Sequence, residues 1–501
     1  MKTLEESDNH RRPPIDAPTS SPGTSEEYQH RDGKSAKLAG PECLSNDPSD
    51  HSLARLDTPT TGAEDSSDPQ TTSRGLMGKP LTSNDYKNFR CYSLYQIFLR
   101  TGWIFKTESI IMPAVLDLIG GSGWLRGCLP MLNRLGQSIP PLLVSDFVRN
   151  ARRKKFGLSV STAIMGVCFL TLSWIWLITG GERQTWLPYV FLLIYGIFFA
   201  ITGINQLQVV TITGKLIRVD YRGRVGMVAT LIGSVIACLL AWFLLRMWLP
   251  SSSAVQSSVG DKGNFAAIFG FTGLMFLIAA GWALRFREDY DEPREDRRSG
   301  LDLFRSTWST IRSDHNFRLL TIIAALFGMS LTLFPHYQSL ARERLSLGLA
   351  ALVPWVIAQN LGAAVFSVPA GWLADRVGNR IVIRIIMLTL SIPPVLAIVA
   401  SYFPEIGMNG FIAVFFLIGL TPVTFRVLFN YTLEIIQPSE HPRYLSTLSL
   451  FMAGPAILTS AFFGALVDWI SFEFVFGLVV ACLILAWLLT FKLKEPRHQN
   501  I

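Results

Sequence analysis

Ionisable and amide side chains interrupt stretches of this sequence that are otherwise apolar, and their types and spacing narrow the chemistry open to it. Glu108 stands in an apolar run that begins near Leu94, with Lys106 two positions before it and Arg100 earlier. His336 stands in a later run, followed by Tyr337 and Gln338. Desolvation raises the proton affinity of a carboxylate, and an imidazole titrates near neutrality unaided. Glu108 and His336 are therefore the candidates for binding and releasing a proton; a static polar contact is the alternative. Arg426 and Asn430 lie four residues apart and share a helical face. A guanidinium there suits an anionic solute through a two-point contact. Asn205 with Gln208, and the adjacent Gln359 and Asn360, supply amides that either hydrogen-bond a solute or join helices. Lys106 and Glu108 are ~200° apart on an ideal helix, so only one should face a shared cavity. Lys106 is expected to pair with a neighbouring helix or to snorkel.

No grouping for covalent or hydrolytic chemistry accompanies these residues. The sequence has no glycine-rich phosphate loop ending in Lys-Ser or Lys-Thr, so ATP hydrolysis is not expected. Of the six cysteines, Cys128, Cys168, Cys238 and Cys482 fall inside apolar runs, Cys91 at the edge of one and Cys43 in a polar tail. None has metal-site spacing, and small apolar fillers are what they resemble. The expectation is a protein without enzymatic activity, metal or cofactor.

The elements that position these residues are read from hydropathy. Half of the 501 residues are hydrophobic and only 16% are charged, too few charges for a typical soluble chain of this length. Residues 1–85 hold nine Lys/Arg against fifteen Asp/Glu, a net −6, which leaves +14 on the remainder of a chain that is +8 overall. Segment 1–87, rich in Ser, Thr, Pro and acids, cannot bury a core and is expected to be a disordered cytoplasmic tail without a signal peptide. Beyond it, runs of about 20 apolar residues, enough to cross a bilayer, follow one another with short polar breaks. They fall near 94–119, 123–147, 157–180, 186–211, 225–249, 264–285, 317–341, 346–373, 380–402, 408–433, 444–468 and 472–492. The fold class is an all-α membrane protein with twelve transmembrane helices.

Lys and Arg cluster at alternate breaks: Arg149 to Lys155, Lys215 to Arg224, Arg376 to Arg384, and Lys492 to Arg497. The other breaks hold few, chiefly Arg183, Lys262, Arg342 and Arg344. That asymmetry places both termini in the cytoplasm, and the cell membrane is the expected location.

The chain also repeats. "NFR" opens the first run at Asn88 and the seventh at Asn316, an offset of 228. "PPLLVSD" ends at Asp146 and "PAGWLAD" at Asp375, an offset of 229. Arg224 in "YRGRVG" and Arg443 in "HPRYLS" match at 219. Three matches in order at corresponding helix ends indicate two pseudo-symmetric six-helix bundles, 88–285 and 317–495. Between them, 286–316 is a charged cytoplasmic linker in which Leu301, Phe304, Trp308 and Ile311 recur at helical spacing, with Arg305 and Arg312 nearby. That pattern predicts a short amphipathic helix along the membrane surface. Residues 496–501 form a short tail.

"GWLADRVGNR" at Gly371–Arg380 resembles the signature between the eighth and ninth helices of the major facilitator superfamily, through Gly371, Leu373, Asp375, Arg376 and Gly378. The first-half copy keeps Asp146 and its basic cluster but lacks both glycines, a departure from the family's habit. In physical terms Gly371 would allow close helix approach and Gly378 a tight turn. Asp375 would meet the positive end of the eleventh helix. The resemblance implies that Asp375 and Arg376, with Asp146 opposite, form a cytoplasmic gate. It also implies that helices 1, 4, 7 and 10 surround the substrate path, so that Glu108 would face His336 across it and Arg426, Asn430, Asn205, Gln208, Gln359 and Asn360 would line it.

The function implied is secondary active transport of a small solute by alternating access, with a proton as the candidate coupling ion. The partners expected are that solute and the lipid bilayer, with no nucleic acid, in a monomer. Two other readings stay open on sequence: a membrane sensor or scaffold that kept the fold, and a lipid transporter or scramblase.

Overall fold

The computed structural model describes residues 82–120, 122–217, 219–249, 264–290, 311, 312, 314–437 and 440–495. Ten runs of helix within it are long and apolar enough to cross a membrane. They are the third to twelfth rods of a bundle whose first two rods are helical too but carry charges along their length. Twelve rods are thus described, built from sixteen helices. In the first half these are α1 (Ser83–Phe105), α2 (Ile111–Ile119), α3 (Gly123–Asn150), α4 (Lys154–Thr179), α5 (Leu187–Leu216), α6 (Val219–Trp248) and α7 (Asn264–Leu284). In the second they are α8 (His315–Ser330), α9 (Phe334–Leu345), α10 (Leu352–Val377), α11 (Asn379–Leu390), α12 (Ile392–Tyr402), α13 (Pro404–Ile418), α14 (Thr421–Ile435), α15 (His441–Trp469) and α16 (Phe472–Thr490). Of the predicted interfacial helix only Ile311, which is buried, and Arg312, which is exposed, lie within the described residues.

Four rods break partway along: the first, the seventh, the ninth between α11 and α12, and the tenth between α13 and α14; the first and seventh bear on the site. α1 opens with a reciprocal cap between Thr82 and Asp85 and stops at Phe105. Residues 106–110 are not α-helical, and the N–H groups of Ile110, Ile111 and Met112 all donate to the Thr107 carbonyl, which restarts the chain as α2. The Thr107 hydroxyl donates to Ile104 O at 2.6 Å, so the break keeps its polar groups bonded. In the matching rod of the second half, α8 gives way to a 3-10 turn, Leu331–Leu333, ahead of Pro335 in α9. The break has a direct consequence for Lys106 and Glu108. They do not lie on one helix, so the ~200° separation expected of them does not apply.

The repeat is also visible in hydrogen bonds. The amide of Asn88 pairs with the Arg287 backbone just after α7, at 3.0 Å and 2.8 Å. Asn316, its counterpart in the second "NFR", accepts from Lys494 N at 3.0 Å just after α16. The next residues match as well. Glu288 accepts from the backbone N–H groups of Lys154 and Lys155 at the start of α4, and from Lys215 Nζ at 2.9 Å. Glu495 lies against Gly378, at the start of α11. A carboxylate at a helix N-terminus satisfies unpaired donors and meets the positive end of the dipole.

The halves meet closely where α3 crosses α15. A Cβ on Gly127 would collide with the Ser460 carbonyl, and one on Gly464 with the Gly123 carbonyl. Backbones approach this closely only with small residues at the crossing. Gly127→Val should therefore lower the thermal midpoint of the purified protein by an amount equivalent to ~1–3 kcal/mol, the usual scale of overpacking. An unchanged midpoint would mean that the crossing is loose.

Candidate functional site

Between the halves, beside the broken first rod, is a cavity of about 540 Å³, within the size range of small-molecule sites. α1 contributes Gln96, Arg100 and Trp103, and the non-helical segment contributes Lys106, Thr107, Glu108 and Ser109. α5 adds Gln206, α9 adds Phe334, α10 adds Gln359 and Asn360, and the α13–α14 corner adds Gly419 and Pro422. The hydroxyl of Ser109 donates to Gln359 Oε1 at 2.6 Å, a bond from one half to the other beside the cavity.

The residues singled out by sequence divide. Glu108, Gln359 and Asn360 border the cavity; the amide of Asn360 also donates to Val356 O in its own helix. Asn205 and Gln208 are turned away. Asn205 bonds Ser161 and Thr162 of α4 and accepts from Tyr95 OH, while Gln208 accepts from Ser161. These two amides join α1, α4 and α5, and it is Gln206 on another face of α5 that reaches the cavity. Arg426 and Asn430 are exposed on α14, one and two turns past Pro422. Arg426 is near enough to act electrostatically on Arg100. Lys106, expected to pair with a neighbouring helix or snorkel, instead lines the cavity alongside Glu108. Trp103 and Arg100 were missed as well, although they lie one and two helical turns before the break.

His336 does not face Glu108 across the cavity. It is fully buried on α9, neither ring nitrogen has a hydrogen-bond partner among the described residues, and Arg126 acts on it electrostatically. Arg126 is the centre of a second polar site that the hydropathy pattern did not reveal. Its side chain is 3% exposed, and Nη1 reaches Asp117 at 3.0 Å and Glu343 at 2.9 Å, with Asp468 3.7 Å from Nη2. Asp117 also accepts from Gln338 at 2.7 Å and Ser339 at 2.9 Å, and Asp468 accepts from Gly123 N at 2.7 Å. Asp117 and Arg126 belong to the first half; Gln338, Ser339, Glu343 and Asp468 belong to the second. This network fastens the halves at the face opposite the termini.

The motif residues fare unevenly. Gly378 has φ +94° and makes the turn from α10 to α11, as its position implied. Gly371 does not serve a close approach: a Cβ there would meet nothing within 4 Å. Asp375 and Arg376 are exposed, and the Arg376 guanidinium lies over the Trp372 ring at 4.2 Å. The side chain of Asp146 lies outside the described residues.

Comparison with known proteins agrees with this architecture. Residues 344–501 match the Major Facilitator Superfamily model. Among solved structures, the nucleoside transporter NupG superposes with a TM-score of 0.59 at 12% identity, over 82% of this chain and all of that one. A D-xylose–proton symporter gives 0.61 at 12% identity, over 83% of this chain and 99% of its own. A POT family transporter, in complex with a thioalcohol-conjugated peptide, gives 0.60 at 11%, over 84% and 98%. No curated protein matches by sequence. Residues 344–501 thus resemble the major facilitator superfamily in sequence, and the two halves together share the fold of these solved transporters; the chain is a multi-pass membrane protein.

The network around Arg126 yields a prediction. Removing one partner of a buried ion pair typically costs ~3–5 kcal/mol, because the remaining charges stay desolvated and unpaired. Arg126→Ala should loosen the α3–α15 crossing. In a background without native cysteines, a cysteine replacing the buried Ser460 should then react with a soluble maleimide several-fold faster than in the parent. Equal rates would show that Arg126 does not hold this face closed.

Proposed function

We propose that this protein is a secondary transporter that moves a small solute by alternating access. The observation that carries the proposal is the polar cavity built from both halves at the break in the first rod, with the Arg126 network closing the halves on one face. Non-helical backbone at bilayer depth is tolerated where it lines a cavity, and transporters of inverted or repeated design place their sites there. In this reading the halves rock about the cavity. The Arg126 network breaks in the state open to the loop face, and the turn at Gly371–Gly378, with Asp375, Arg376 and Asp146, closes the terminal face in its place.

The distribution of Lys and Arg puts the terminal face in the cytoplasm, in the cell membrane on this reading. Glu108 is the coupling group. It borders the cavity, and Lys106 and Arg134 lie within electrostatic range of it, so protonation would change the charge balance where solute binds. His336 is buried on α9 and is not among the residues that line the cavity, so this reading gives it no direct part in that step.

Reconstitution into liposomes tests this. Once a solute is found, Glu108→Gln should abolish accumulation driven by a pH gradient while leaving exchange of labelled for unlabelled solute. Gradient-driven accumulation that survives the substitution would remove Glu108 from coupling. Absence of exchange by the parent, for a solute that it binds, would argue against transport itself.

A further inference from the structure

The cavity has a chemical preference written into its unsatisfied donors. Lys106 is 1% exposed, yet among the described residues it donates no hydrogen bond and forms no ion pair. Its ammonium rests on aromatic faces, 3.6 Å from the centroid of Trp103, 4.2 Å from Phe199 and 5.0 Å from Phe198. Rings attract the charge but accept none of the three N–H donors in the way an oxygen does. A buried cation without oxygen partners is costly. Since Lys106 also lines the cavity, a solute placed there can meet those donors.

The surrounding charges point the same way. Arg100, one and a half turns earlier, commits Nε to Ser234 Oγ at 2.7 Å, and its side chain borders the same space. Arg426 reinforces its field. Glu108 is the one carboxylate on the lining, and it makes no ion pair with Lys106 or Arg134 among the described residues. Arg134 instead stacks over Phe425 of the other half, 5.0 Å from the ring centroid. The positive charges therefore exceed the negative, in a setting where low polarity strengthens their pull. The rest of the wall is mixed: amides at Gln206, Gln359 and Asn360, and apolar surface at Trp103 and Phe334. Such walls suit a small body that is part polar and part apolar.

We propose that the solute is a small organic anion whose carboxylate binds Lys106 and Arg100. This rests on the transporter reading of the cavity and adds the substrate class to it.

The test uses the full chain purified in detergent, with matched probes: benzoate against benzamide and benzylamine, and succinate against succinamide. A ligand that binds only the folded state raises the thermal midpoint. At least one carboxylate should raise it, and the matched amide and amine should not. Lys106→Gln should weaken that carboxylate at least tenfold, whereas Lys106→Arg should keep most of the affinity. The unliganded midpoints of the two variants show that both fold, and Arg100→Gln provides a second, independent loss. The proposal is overturned if neutral or cationic partners stabilise as well as the carboxylates. It also fails if no carboxylate shifts the midpoint, or if Lys106→Gln binds like the parent. Exchange in liposomes separates this claim from the one beneath it. Carboxylate binding without exchange would remove the transport reading and leave the anion site. Exchange of a neutral solute that is indifferent to Lys106→Gln would do the reverse.

Discussion

A helix that stops in mid-membrane strands backbone donors and acceptors where no bulk water can reach them. The first rod stops there, at Phe105, and the arrangement of the molecule follows from how that stop is satisfied. The Thr107 carbonyl collects three N–H groups and its hydroxyl caps Ile104, so the chain resumes within five residues. The price of the interruption is small, and its effect is large. Lys106, Thr107, Glu108 and Ser109 all reach the same space, which four consecutive residues of a helix cannot do. Ser109 then bonds Gln359, so the break that builds the cavity also ties one half to the other beside it.

The halves play different parts. The first supplies the charges of the cavity, at Arg100, Lys106 and Glu108; the second supplies neutral amides and the Phe334 wall. At the face opposite the termini the division changes: Arg126 comes from the first half and two of its three carboxylates from the second. That network is well suited to a switch. Its geometry is satisfied only when the halves are together, and two of the carboxylates are at least one-third exposed, so water can take over their solvation when the halves part. The small-residue crossing at Gly123, Gly127 and Gly464 works alongside it, since close contact without long side chains can separate and re-form without repacking a core.

At the terminal face the repeat performs one task twice. Asn88 and Asn316 bond the backbone that follows the sixth rod of each half, and Glu288 and Glu495 sit at the start of the third. In the first half Glu288, from just after α7, accepts from the first N–H groups of α4; its counterpart Glu495 lies against Gly378 at the start of α11. Helix ends at a membrane surface leave four donors open, and a fixed acid from the same half keeps each bundle rigid. Rigid bundles are what rocking about a central site requires.

The helical class, the twelve rods and the twofold repeat were legible in sequence because each depends on patterns along the chain: run length, the spacing of polar breaks, and recurrent Asn-Phe-Arg. Glu108, Gln359 and Asn360 were legible as polar residues in apolar runs. Direction was not. Asn205 and Gln208 looked like lining, yet a rotation of α5 that only packing against α4 sets turned them inward and brought Gln206 to the cavity. His336 matched Glu108 by offset, but the two rods break in different ways and carry the imidazole toward Arg126 instead. Helical geometry allowed only one of Lys106 and Glu108 to face the cavity, at the one place where the helix ends and both do. The Arg126 network joins residues as much as 351 positions apart, Asp117 to Asp468, and no local pattern announces it. The sequence by itself determined which segments enter the membrane, because burying backbone in lipid demands helices of a given length and polarity. Only the tertiary structure decided which charges meet, because that depends on where helices break, how they rotate, and which half they face.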